Sequence, residues 1–160
     1  MNHTFHPLTQ DQAEQIAFEW RYGGEYAFYN MDADEEDLAS FLDAKERGET
    51  TFAILESGEL IGFVTLQFES TDTVSIGLGM RPDLTGSGNG HRFLTSILTW
   101  IEATYGTRTV RLAVATFNKR AIRLYRSLDF IPEETFVQET NGGVYSFLSM
   151  KRLQTSPPNI

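Results

Sequence analysis

Apolar and polar positions repeat with two periods along this chain, and the changes of period mark its elements. His3 to Leu8 fits a short first strand. Thr9 follows as a helix N-cap, with Gln12 placed for a capping box, and the helix runs to about Trp20. Arg21 to Met31 breaks the pattern with Tyr22, Gly23, Gly24, Tyr26, Phe28 and Tyr29, a loop rich in glycine and aromatics. Its rings either pack onto the core or line the mouth of a site, and the sequence leaves both open. Asp34 to Arg47 resumes helical spacing through Leu38, Phe41 and Leu42, with acids in its first turn and Gly48 as C-cap. Thr51 to Glu56 and Glu59 to Glu69 form a hairpin about Ser57-Gly58, and the run Ile61-Gly62-Phe63-Val64 makes the return strand central. Ser70-Thr71-Asp72 turns the chain into a strand over Thr73 to Met80.

Phe93, Leu94, Ile97, Leu98 and Ile101 then give one apolar helical stripe, closed at Tyr105-Gly106. Thr109 to Thr116 is a strand with Val110, Leu112 and Val114 on one face and the small Ala113 and Ala115 on the other. Asn118 caps a second helix carrying Ala121, Ile122, Leu124, Tyr125 and Leu128. Phe130 to Gln138 and Val144 to Lys151 make a last hairpin around Asn141-Gly142-Gly143. The order predicts a mixed, mostly antiparallel α/β sheet of about seven strands, with helices on both faces. A single domain is expected over residues 1–154, with a frayed tail at 155–160.

Composition narrows the chemistry. A chain of 160 residues, 41% apolar and 22% charged, is long enough for a sizeable core. The absence of cysteine excludes disulfides, thiolate metal sites and a cysteine nucleophile, and is compatible with the cytoplasm. No apolar leader or membrane-length run is visible. A net charge of −9 argues against general nucleic-acid binding. Partners are therefore sought among small molecules and peptides; a membrane is not expected, and a homodimer is admissible.

One stretch, Val74 to Leu94, stands apart. It reads as a strand, a proline turn, the loop Gly86-Ser87-Gly88-Asn89-Gly90 and a helix start. Alternate glycines leave backbone N–H groups uncovered, and the helix adds its own unpaired N–H groups at the same place, which suits a phosphate. Gly77 and Gly79 in the strand before it mark a bulge or a close backbone approach. The helix starts with His91 and Arg92 where acids are usual. Leu84 to Leu128 holds seven Lys/Arg (Arg92, Arg108, Arg111, Lys119, Arg120, Arg123, Arg126) against one acid, Glu102. A basic segment in an acidic chain points to a polyanionic ligand. A dinucleotide-binding fingerprint fails because His91 stands at its last position, and no Walker Gly-Lys-Ser/Thr is present.

Pro82-Asp83-Leu84-Thr85-Gly86-Ser87-Gly88-Asn89-Gly90, followed by Asn118-Lys119-Arg120-Ala121-Ile122-Arg123-Leu124-Tyr125 and Asp129-Phe130, resembles the two signature motifs of the GNAT superfamily of N-acyltransferases. The resemblance covers roughly residues 50–152. Thr85 departs from the usual Arg or Gln, and Asp129 from the usual glycine, which asks for a left-handed backbone at Asp129. The resemblance implies acetyl-CoA as donor, a primary amine as acceptor, and direct attack in a ternary complex without a metal. It implies that the pyrophosphate lies on the segment Thr85, Gly86, Ser87, Gly88, Asn89, Gly90 and His91. The pantetheine arm would pair with Leu78, Gly79 and Met80 and be held by Asn118, with Lys119, Arg120 or Arg123 near the adenosine phosphates. Tyr125 is implied as the acid for the leaving thiolate, since a phenol of ordinary pKa about 10 is protonated at neutral pH; otherwise it is a core tyrosine.

The base that would deprotonate the amine is left open among Glu25, Glu69 and Asp72. Ser75 lies where some relatives place a carboxylate. His3, His6 and His91 are expected as surface histidines. The acidic N-terminal segment, from Asp32 to Glu49, either favours a cationic amine or is a solvated helix face. The acceptor is a small-molecule or peptide amine. The alternative to an enzyme is a non-catalytic CoA-binding regulatory module on the same fold.

Overall fold

The structure, a computed structural model, describes residues 3–86 and 88–153. Ser87 and the tail expected at 155–160 lie outside the described residues. Seven strands form one sheet in the order β1-β2-β3-β4-β5-β7-β6. They are β1 (His3–Pro7), β2 (Thr51–Glu56), β3 (Glu59–Phe68), β4 (Thr73–Met80), β5 (Thr109–Ala115), β6 (Ile131–Thr140) and β7 (Gly143–Arg152). β1 on β2, β2 on β3 and β5 on β7 are antiparallel, while β4 and β5 are parallel, with Ser75 opposite Arg111. This is the mixed sheet of about seven strands that the hydrophobic pattern predicts, and it is open.

The helices are α1 (Gln10–Glu19), α2 (Glu35–Leu42), α3 (Ala44–Arg47), α4 (Asn89–Tyr105) and α5 (Lys119–Ser127). Both halves of the capping box at Thr9 and Gln12 are made. The helix expected over Asp34 to Arg47 is interrupted at Asp43, whose N–H bonds Ser40 and whose carboxylate caps Lys45, so one periodic stretch becomes two helices. Capping chemistry prevailed over periodicity there. The aromatic loop is also more ordered than expected: Gly24–Tyr29 and Met31–Ala33 are 3₁₀ turns.

Two compact units emerge. The first comprises Met1–Thr65, Leu78–Thr85 and Gln138–Tyr145, and the second Leu66–Gly77, Gly86–Val137 and Ser146–Ile160. In the first, Ile16, Trp20, Ala53 and Leu60 form a buried cluster with Phe41 and Phe63 against it. In the second, the predicted stripe Phe93, Leu94, Ile97, Leu98 and Ile101 is buried on α4, as are Val110, Leu112 and Val114 on β5. Each such side chain contributes about 1.5–3 kcal/mol by leaving water. The hairpin turns form at Ser57-Gly58 and Asn141-Gly142, all four residues at positive φ.

Candidate functional site

In the second unit, the glycine loop takes the backbone its sequence asks for. Gly86 and Gly88 have φ of 74° and 79°, the left-handed region that L side chains avoid. Gly88 is the N-cap of α4; among the described residues no side chain caps that helix, and its first turn holds no acid. The positive end of the helix is thus left for an anion. The three glycines have different physical reasons. A Cβ on Gly86 would sit 2.7 Å from Nη1 of Arg120, so the guanidinium lies directly against the loop. A Cβ on Gly90 would meet Leu124 at 2.9 Å, so that glycine lets α4 pack beside α5. A Cβ on Gly88 would meet nothing within 4 Å, so only its φ demands glycine. Asn89, Gly90 and His91 form the first helical residues.

The same contacts bring α5 to the loop. Asn118 is 9% exposed, and its Oδ1 accepts from the Ala121 N–H at 3.1 Å, confirming it as a cap. Lys119 and Arg120 occupy the first turn of α5, the end where helix electrostatics disfavours cations. Of the three cations considered from sequence, Arg120 is the one seen against the loop. Tyr125 is half-buried, with its ring 5.8 Å from that of Phe130. Its carbonyl accepts from the N–H groups of Leu128 and Phe130, and Asp129 between them has the left-handed φ of 71° expected of it.

The first unit carries Leu78, Gly79, Met80 and Thr85. Gly79 is explained by its neighbour: a Cβ there would overlap the Phe63 ring. Thr85 directs both its N–H (3.2 Å) and its hydroxyl (2.7 Å) to the Pro82 carbonyl, closing the proline turn. The Met80 carbonyl accepts the Tyr22 hydroxyl at 2.6 Å. Sequence patterning missed Tyr22, because nothing in a glycine-aromatic loop says which ring reaches a strand end. Burial pushes its phenol up from 10.0 to about 12. A pKa raised on folding means stability complete below pH 10 and lost as pH rises from there to about 12. Tyr22→Phe should flatten that alkaline limb in a pH series of thermal melts, while costing about 1 kcal/mol at neutral pH for the lost hydrogen bond.

Two of the three candidate bases, Glu69 and Asp72, are engaged. Glu69 accepts from the Ser75 hydroxyl at 2.6 Å and pairs with Arg111 at 3.2 Å. Arg111 also holds Glu133 with two hydrogen bonds, at 3.0 and 3.1 Å. Asp72 accepts from Ser70 and Thr73, and the Ser70 hydroxyl above all holds its carboxyl below the ordinary range, making it a weaker base. Glu25 is exposed in the first turn of the Gly24–Tyr29 segment. His3 corrects an expectation: its side chain is 1% exposed, and Nε2 lies 2.7 Å from Glu56, opposite it in the β1–β2 register. A strand-edge histidine facing an acid is drawn inward by that partner.

Charge divides between the units. The first holds four basic and sixteen acidic residues, a net of −12, and the second nine basic and six acidic, a net of +3. Among the described residues, no group of three or more His, Cys, Asp or Glu is placed to hold a metal ion. No helix among them is long and apolar enough to cross a membrane.

Comparison with known proteins bears on this geometry. The model of the acetyltransferase (GNAT) family matches residues 11–130. Among curated protein sequences none matches. Solved structures share the fold: a GNAT-family acetyltransferase from Bacillus anthracis superposes with a TM-score of 0.73 at 16% identity, covering 96% of this chain and 95% of that one. Spermidine N-acetyltransferase from Vibrio cholerae, in complex with CoA and spermine, gives 0.71 at 19% identity and 95% of both chains. A chimera of that type of enzyme with hSSAT gives 0.71 at 20% identity and 96% of both. At such identities the likeness speaks for the fold, and the family match, which spans most of the chain, for membership: the chain belongs to the GNAT acetyltransferase family.

Proposed function

We propose that the protein moves an acetyl group from acetyl-CoA to a primary amine by direct attack in a ternary complex. The observation that carries this reading is the Gly86–Gly88 turn into an uncapped, acid-free α4 with the Arg120 guanidinium beside it. The pyrophosphate would lie on the backbone of Gly86, Gly88, Asn89, Gly90 and His91; the residues proposed for the pantetheine arm are Leu78–Met80 of the first unit and Asn118 of the second. Acetyl-CoA supplies a thioester carbonyl. The neutral amine nitrogen forms the new C–N bond and the C–S bond breaks; Tyr125 donates its proton to the departing sulfur, and the proton shed by the nitrogen passes to solvent, from which the phenol is restored.

Arg120 has a defined part here. Its guanidinium lies against Gly86, where its charge would meet the cofactor phosphates, while Thr85 is turned to Pro82. Arg120→Gln should weaken CoA binding about thirtyfold, equivalent to about 2 kcal/mol and within the range of about 1.5–3 kcal/mol for a charge-assisted hydrogen bond. It should also flatten the fall in affinity with added salt. Titration calorimetry at two salt concentrations measures both. Unchanged affinity would return Arg120 to a packing role.

The acceptor we propose is cationic, in keeping with the −12 of the first unit and with the spermine in the complex of the Vibrio cholerae protein. Thiol release from acetyl-CoA across a panel of polyamines, amino acids, aminoglycosides and peptide N-termini tests the reading. Turnover favouring polyamines supports it in full, and turnover of another class supports the transfer alone. A second reading, a non-catalytic CoA-binding module, draws on the engagement of both Glu69 and Asp72. Tight CoA binding with no turnover would establish it.

A further inference from the structure

Asp34 caps α2 with only half of its carboxylate. Oδ1 accepts the Asp37 N–H at 3.0 Å, the ordinary N-cap bond. Oδ2 reaches a part of the chain more than a hundred residues away: it accepts the Asn141 N–H at 2.9 Å and the Thr140 hydroxyl at 3.1 Å. These residues form the β6–β7 turn. The three donors hold the Asp34 carboxyl below the ordinary range, the Asn141 N–H most strongly. A serine or asparagine would cap as well; only a carboxylate accepts on both sides.

The turn passes the restraint on. Asn141 donates its Nδ2 to the Phe28 carbonyl at 2.8 Å. The Phe28 ring lies edge-on to Tyr145 at 4.8 Å and to Tyr29 at 5.2 Å. The other end of the aromatic segment is fixed at Tyr22, whose N–H bonds Asn30 Oδ1 at 2.7 Å and whose hydroxyl bonds the Met80 carbonyl at 2.6 Å. Residues 22–34 therefore form a strap tied at one end to the carboxyl terminus of β4 and at the other, through Asp34 and Asn141, to the β6–β7 turn. Tyr29 on the strap and Tyr145 on β7 beside it are 36% and 37% exposed, so aromatic surface remains at this place.

We propose that Asp34 is a positioning residue for the acceptor: by clamping the β6–β7 turn it fixes the aromatic strap beside the Met80 end of β4, and so the path by which the amine approaches. This rests on the reading that Leu78–Met80 carries the thioester arm. An amine entering at that strand end meets the strap, and a misplacement of about 1 Å in such a wall can cost up to about a hundredfold in rate. Asp34 touches neither reacting atom and acts through Asn141 and Phe28.

Asp34→Ser and Asp34→Asn separate clamp from cap. Both keep an N-cap acceptor. Serine is too short to serve two sides, and asparagine turns an amide N–H₂ toward the donors of the turn. Glu35→Gln, one residue on, removes a charge without touching the clamp. With the fastest amine of the panel, spermidine being the first probe, both Asp34 variants should raise the amine KM about tenfold. The acetyl-CoA-induced melting shift should stay at the parent value, and Glu35→Gln should leave both unchanged. Hydrogen exchange should accelerate in Gly24–Tyr29 and Thr140–Gly143 but not in α4 or α5. Parent-like KM in both Asp34 variants, or accelerated exchange at the turn without any in Gly24–Tyr29, overturns the proposal. A parent that acetylates no amine overturns the underlying reading, and this inference with it.

Discussion

Tyr125→Phe is expected to lower kcat at least about tenfold, equivalent to roughly 1.4 kcal/mol in the barrier, while leaving acetyl-CoA affinity nearly unchanged. The substitution keeps the ring and its contact with Phe130, 5.8 Å away, and deletes only the hydroxyl. Collapse of the tetrahedral adduct expels a thiolate, and a placed acid that protonates a leaving group typically contributes 10²–10⁴-fold. The α5 helix that carries Tyr125 is capped by Asn118 and lies against the glycine loop through Arg120 and against Gly90 of α4 through Leu124. Steady-state and single-turnover rates together decide the matter, because slow product release hides a chemical effect in kcat. If the single-turnover rate is unaltered, Tyr125 serves only to pack on Phe130.

Gly88→Glu should abolish cofactor binding. Gly88 combines a left-handed φ of 79° with open space around its Cβ position. The new Cβ therefore meets no steric obstacle; the substitution strains the backbone and places a carboxylate at the positive end of α4. There it satisfies the helix itself and repels the phosphates. The parent should gain about 2.7 kcal/mol of stability at a hundredfold excess of acetyl-CoA over Kd. The variant should show no ligand-induced rise in melting temperature. Gly88→Ala, which carries the strain without the charge, should retain part of it. A full shift in Gly88→Glu would remove the loop from the binding model.

Local chemistry made much of this fold legible. The Thr9 capping box, the Asn118 cap, the α4 stripe and the turns at Ser57-Gly58 and Asn141-Gly142 each depend on residues within a few positions of one another, and each forms as expected. The left-handed Asp129 belongs with them. What stayed hidden depends on distant partners. Nothing near Tyr22 announces that its hydroxyl bonds Met80, and nothing near Asp34 announces Asn141. His3 looked like a surface residue because Glu56 lies fifty-three positions away. The break at Asp43 was local yet unread, because Leu38, Phe41 and Leu42 gave a periodicity that masked the cap. The loop pattern gives Gly90 an exposed amide as its reason, whereas the approach of Leu124 also requires it.

The proposed reaction takes an acetyl group from CoA to an amine without resting it on the protein. The most direct measurement follows an isotope-labelled acetyl group from acetyl-CoA, by NMR of the reaction mixture and mass spectrometry of the protein. With spermidine and the other amines of the panel offered, the label should appear as an N-acetyl amide in step with free CoA thiol, and the protein should stay unmodified. Label that remains on bound CoA with every amine, or that accumulates on the protein, would contradict the account.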